Sequence, residues 1–213
     1  ARAPSLASKG EVFFGSSFFF NQTPHPVALG GRGAPRDALA SAQVTVNCAV
    51  GSATTLTDGG GNYRVTLDAA LPCVITVASG GASLHSLAYA GGTFNTTPET
   101  ELMLVYLAAQ LGTNTAGLIG NFQGSLRYQR AMNSPDTVQA AQSAVVTNLQ
   151  QRYAVSLAAP AFLTTSFVVG QPGVDGDLVA LAKAGAIDPN GLPDPVAVSL
   201  LQQAGAAHPL QGM

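Results

Sequence analysis

The sequence predicts an α+β protein, a β-sandwich followed by a mainly helical C-terminal half, and three observations carry that expectation. Between residues 37 and 93, short runs of alternating apolar and polar residues are separated by glycine-rich turns, as in strands with one buried face. From residue 94 the apolar spacing lengthens to that of helices, each opened by a proline-containing start signal. The two cysteines, Cys48 and Cys73, both fall inside the β part.

In the β part, Val44, Val46 and Cys48 alternate with Thr45 and Asn47, and residues 54–57 continue as a second strand. Asp58-Gly59-Gly60-Gly61-Asn62 is a turn: glycine supplies positive φ, and Asp and Asn bond their own backbone. Tyr63-Arg64-Val65-Thr66-Leu67 alternates again, and Leu71-Pro72 marks the entry to a separate strand over 73–78. Gly80-Gly81 turns the chain into a last strand over 84–89. Short strands at this spacing read as a sandwich. Cys48 and Cys73 suit a bridge across or between neighbouring strands, with two buried free thiols as the alternative. Such a bridge contributes roughly 3 kcal/mol on the chain-entropy account and implies an oxidising compartment.

The helical part opens at Thr97-Pro98-Glu99, with Thr97 as N-cap, Pro98 in the first turn and acids near the positive end of the helix dipole. Leu102, Val105, Tyr106 and Ala109 share one face, and Gly112 ends the helix. Ser134-Pro135-Asp136 repeats the signal ahead of Val138, Ala141, Val145 and Leu149. Residues 175–184 and a segment opened by Asp194-Pro195 are two further helices, with irregular chain around 154–174 and 185–193.

Residues 1–36 read as an N-terminal arm, 37–93 as the disulfide-linked sandwich and 94–213 as the helical region. The arm carries Val12, Phe13, Phe14, Phe18, Phe19 and Phe20 in a stretch of high β-propensity, low charge and no proline. Such a stretch has to be docked, as a strand of its own sheet or as a strand donated to a neighbouring subunit. Residues 21–36, with Pro24, Pro26 and Pro35 and three glycines, read as a loop.

Composition narrows the function classes. Charged residues make up 9% of the chain against 46% hydrophobic, where an average soluble domain has about 25% charged residues. A surface of Ser, Thr, Asn, Gln, Gly and Ala suits extracellular proteins and subunits that pack on one another, although drift in a GC-rich genome gives the same composition. The net charge is −2 and the arginines are scattered, so the concentrated positive footprint of a nucleic-acid binder is missing. No apolar run is long enough to span a membrane. Ala1 in place of an initiator methionine reads as the start of a processed chain.

Catalytic and metal signals are weak. His25 lies between prolines, His85 in a strand and His208 in the tail, none beside a carboxylate or nucleophile in sequence. No G-x-S-x-G, H-E-x-x-H or Walker pattern occurs, and Gly30-Gly31-Arg32-Gly33 is followed by Pro35 rather than by a helix. Asp175, Asp177 and Asp188 have calcium-ligand chemistry without an EF-hand pattern. The sequons at Asn21 and Asn95 are read as accidental. No cofactor, catalytic residue or metal ligand is therefore expected.

Val44-Thr45-Val46-Asn47-Cys48 followed by Thr57-Asp58-Gly59-Gly60-Gly61-Asn62-Tyr63 resembles the carboxypeptidase-regulatory-like group, the transthyretin-like, Ig-type domains in which an Asp-x-x-Gly-x-Tyr-like turn joins two strands. With Leu71-Pro72-Cys73, Leu84-His85-Ser86 and residues 95–102, the order is similar to secreted bacterial proteins that couple such a domain to a helical C-terminal region. The resemblance spans roughly residues 40–170. The extra glycine of the turn and the aromatic arm depart from it. It implies an Ig-like sandwich and a secreted or cell-surface binding or structural role. Three functional expectations follow. The first is a non-enzymatic structural subunit that self-associates, as a homo-oligomer or filament, through the arm. The second is a monomeric adhesin whose loops at 21–36 and 58–62 contact a glycan or another surface. The third is a hydrolase with a dispersed site, which requires His25 or His85 beside a carboxylate in a pocket.

Overall fold

A computed structural model describes residues 23–33 and 41–212; Val12, Phe13, Phe14, Phe18, Phe19 and Phe20 lie outside these residues. The described chain is mixed α+β, with every strand ahead of the first helix. The strands are β1 (His25–Arg32), β2 (Gln43–Val50), β3 (Ser52–Leu56), β4 (Asn62–Ser79), β5 (Ala82–Ala88) and β6 (Gly92–Thr93). The order across the sheet is β3-β2-β4-β1-β6, with β5 paired to β4.

β4 organises the sheet by changing partners along its length. Its first half, residues 62–69, pairs antiparallel with β1. Its second half pairs with β2 and with β5. The sequence splits this strand at Pro72, yet the structure runs it through as one strand of 18 residues. The reason lies in the register: Cys48 faces Cys73 and Val50 faces Ala70, so two residues of β4 oppose one of β2. Pro72 sits in that bulge, where its missing N–H costs no ladder bond. Beside the bulge, Cys48 and Cys73 form the expected disulfide across directly opposed positions.

β1 is a second correction, because residues 21–36 read as a loop. Val27 and Leu29 are buried while Ala28 is exposed, which is ordinary strand alternation hidden among prolines and glycines. Gly31 is required there: a Cβ would lie 2.2 Å from the carbonyl oxygen of Phe94. The Tyr63 hydroxyl donates to that same oxygen at 2.6 Å, and burial pushes the phenol well above its usual range.

Among the described residues the helices are α1 (Pro98–Gln110), α2 (Thr115–Asn121), α3 (Leu126–Met132), α4 (Pro135–Tyr153), α5 (Val174–Ala184) and α6 (Pro195–Ala206), with a 3-10 turn at Phe122–Gly124. Thr97, Ser134 and Asp194 cap α1, α4 and α6 as the sequence indicates. Helices α2 and α3 escape sequence reading because seven residues hold too few turns to show a period. Nor is α1 amphipathic: Leu102 to Ala108 are all buried, as in a helix surrounded by protein. It packs on β5, α4 and α6. Gly205 of α6 makes the closest approach, since a Cβ there would lie 2.3 Å from the Tyr106 carbonyl oxygen. The tail is tied to the end of α1, with Leu210 N–H donating to the Gln110 carbonyl and Arg127 Nη2 to the Leu210 carbonyl. Strands and helices share one hydrophobic core running from Val27 to Leu201.

Candidate functional site

The outer face of the sheet at its β6-β1-β4 side is a trough. Even-numbered residues of β4's first half, Asn62, Arg64, Thr66 and Asp68, point away from the core, and the odd-numbered ones pack inward. In register, Arg64 faces Gly30 and Asn62 faces Arg32 on β1, while Thr93 of β6 pairs with Gly30 on the other side. Gly30 therefore floors the trough with bare backbone. Leu56 and Asp58 close one side and Phe167 rises at the end, giving a groove of about 540 Å³.

A loop folded over the sheet makes that end wall. The Asn95 side chain donates to the carbonyls of Phe162 and Thr165 at 3.0 and 2.7 Å, and its Oδ1 accepts from the Arg32 N–H. Asn95 is buried with its amide fully engaged, so its sequon is structural. Arg32 donates from Nη1 to the Phe167 carbonyl at 2.9 Å and lies 5.4 Å from that ring's centroid. The residue is only 6% exposed, and its Nε is buried without a partner. No carboxylate lies within ion-pair distance of it among the described residues. A buried guanidinium with most of its donors unused is a group with binding capacity to spare.

The Asp58 turn lines the opposite side. Oδ1 of Asp58 accepts from the N–H groups of Gly60 and Asn62, both at 2.9 Å, and from the Asn62 side chain. The Asn62 and Gly60 backbone bonds, with a smaller contribution from Arg32, hold the carboxyl below its ordinary range although it is exposed. The expected turn is thus present, and it fixes an anion in the groove wall.

Other candidate residues serve the fold. His85 Nδ1 lies 3.0 Å from the Glu101 carboxylate, which also accepts the His85 N–H. This places a histidine beside a carboxylate, but the pair docks β5 on α1 and lines neither the trough nor the cleft beside Tyr106. His25 begins β1 on the surface, and His208 Nδ1 contacts the Ala204 carbonyl. Asp177 accepts from the N–H groups of Ala158 and Ala159, Asp175 from Gly170, and Asp188 from Asn190 and Leu192. Among the described residues no cluster of three or more His, Cys, Asp or Glu is arranged to hold a metal ion.

Of the loops expected to contact a ligand, residues 30–32 of the first and Asp58 and Asn62 of the second line one groove. Arg64 and Phe167 were not anticipated. The available signal was Gly-Gly-Arg-Gly in an alternating run, which marks a strand face without side chains beside a single cation. No family model matches the chain, and neither the curated proteins nor the solved structures provide a match.

Proposed function

We propose that this chain is a non-enzymatic binding module, secreted or on a cell surface, that holds a polyhydroxylated ligand such as a glycan in the β6-β1-β4 trough. The carrying observation is the groove itself: a glycine floor flanked by the planar polar groups of Arg32, Asp58, Asn62 and Arg64, with Phe167 at one end. Convergent donors and acceptors beside an aromatic ring suit a ligand that is apolar on its face and polar at its rim. The Cys48–Cys73 bridge supports an oxidising location. The Asp58 turn and the shared strand β4 support an Ig-like reading of the sheet and kinship with the carboxypeptidase-regulatory-like group.

A glycan array tests the proposal. Gly30→Leu fills the floor while leaving the fold alone, since the nearest atom to a new Cβ is the Tyr63 carbonyl oxygen at 3.4 Å. Array binding that disappears in Gly30→Leu is the expected result; no binding, or binding indifferent to Gly30→Leu, contradicts it.

One observation favours self-association as a second reading. Among the described residues β3 ends the sheet, and it carries neither charge nor proline, the kind of edge that other chains pair with. Negative-stain microscopy checks it: fibres or arrays that vanish on Thr54→Lys, or on removing residues 1–20, support a structural subunit, and uniform monomers exclude it.

A further inference from the structure

We infer that the trough selects acidic glycans, with a uronate carboxylate received between Arg32 and Arg64; this rests on the trough being a glycan site. Among the described residues the groove is lined by two cations, Arg32 and Arg64, and one anion, Asp58. The anion is already committed. One Asp58 oxygen takes three hydrogen bonds inside its own turn, so the carboxylate is oriented toward its backbone.

The cations are not committed. Arg32 makes one side-chain hydrogen bond, to Phe167, and no described residue accepts from its Nη2. Its burial under the 162–167 loop has removed water from a fixed charge, while the carboxylate that feels it, Asp58, lies beyond ion-pair distance and is held by its own turn, which leaves the charge only partly compensated until a closer counter-charge arrives. Stacking against Phe167 holds the guanidinium plane in place, so little side-chain entropy is lost when a ligand docks. Arg64 stands exposed on the neighbouring strand, directly opposite Gly30. Of the two same-face neighbours that complete the diagonal from Arg32 to Arg64, Gly30 offers bare backbone and Asn62 a polar side chain. A planar carboxylate takes paired N–H donors from an arginine fork, and such charge-assisted bonds are roughly twice as strong as neutral ones. The hydroxyls of the same sugar meet Asn62 and Thr93 along the trough.

The test compares polygalacturonate with the same polymer after its carboxylates are reduced to primary alcohols, by titration calorimetry at fixed ionic strength. Four proteins are used: the wild type, Arg64→Gln, Gly30→Leu and Lys183→Gln. Lys183 is exposed on α5, away from the groove, and removes one equal charge. The expected result is binding of the acidic polymer only, weakened roughly tenfold by Arg64→Gln, abolished by Gly30→Leu and unchanged by Lys183→Gln. Equal binding of both polymers, lost in Gly30→Leu, overturns the acidic selectivity and leaves the glycan groove standing. Equal weakening by Arg64→Gln and Lys183→Gln also overturns it, because attraction is then a property of total charge. Failure to bind either polymer overturns the uronate assignment, and the array then decides whether the groove takes another sugar.

Discussion

Arg32 and Glu99 are the same physical problem solved in opposite ways. Both are buried ionisable side chains, and neither has an ion-pair partner among the described residues. Arg32 cannot shed its proton, so it stays charged and borders an open groove. Glu99, near the start of α1, is fully buried, and both its oxygens lack hydrogen-bond partners. It can be neutralised. Burial, reinforced by the Asp177 charge, raises its carboxyl well above the ordinary range. The helix dipole at this position favours the carboxylate, but desolvation outweighs it. A permanently charged buried group thus keeps donors free for an acceptor, and a protonatable one in a sealed core sheds its charge instead. Asp58 completes the contrast: an exposed carboxyl shifted down by its own turn, in the same groove as Arg32.

The largest effect expected separates what holds the two regions. Replacing Cys48 and Cys73 by serine removes the staple between β2 and β4 and costs about 3 kcal/mol. Hydrogen exchange is expected to show the amides of β2 and β4 losing protection ahead of those of α1. On the other side, Gly205→Val drives a side chain into the Tyr106 carbonyl where α6 crosses α1. A loss of about 1–3 kcal/mol in urea unfolding is expected, with the trough still binding ligand in the folded protein.

The legible parts of the sequence are those where one local signal decides. Thr97, Ser134 and Asp194 announce their helices, and Val44, Val46 and Cys48 announce their strand, because caps and alternation are written within a few residues. Elsewhere a local signal is overruled by a distant partner. Pro72 looks like a break until β2 supplies a bulge opposite it. Gly30 and Gly31 look like a loop until Tyr63 and Arg64 pair with them. Glu99 looks like a surface acid at a helix start, and only the packing of α1 buries it. The groove was half legible for the same reason: two of its segments lay in turn-like sequence, but Phe167 reaches it through a fold-back that Asn95 and Arg32 pin.

The two smaller effects are sharper. Glu99's raised carboxyl means that the folded state prefers the protonated form. Its contribution is complete below the ordinary carboxylate range and is lost as pH rises toward the folded value. Glu99→Gln is therefore expected to be more stable than the wild type above that range, with a gain that grows with pH; denaturant midpoints measured from acid to neutral pH check it. Gly30→Leu is expected to change stability by no more than about 0.5 kcal/mol while removing ligand binding altogether. A thermal melt beside a binding isotherm separates these.

The most direct test is an amide and arginine side-chain NMR titration of the whole chain with a short oligogalacturonate. If Arg32 is the buried charge that awaits a ligand, shifts will concentrate on the Arg32 Nε–H, Gly30, Asn62, Arg64 and Phe167, and the amides around Glu99 will stay still. Shifts centred instead on the cleft beside Tyr106, Asn148 and His208, or spread evenly over the surface, would contradict the account.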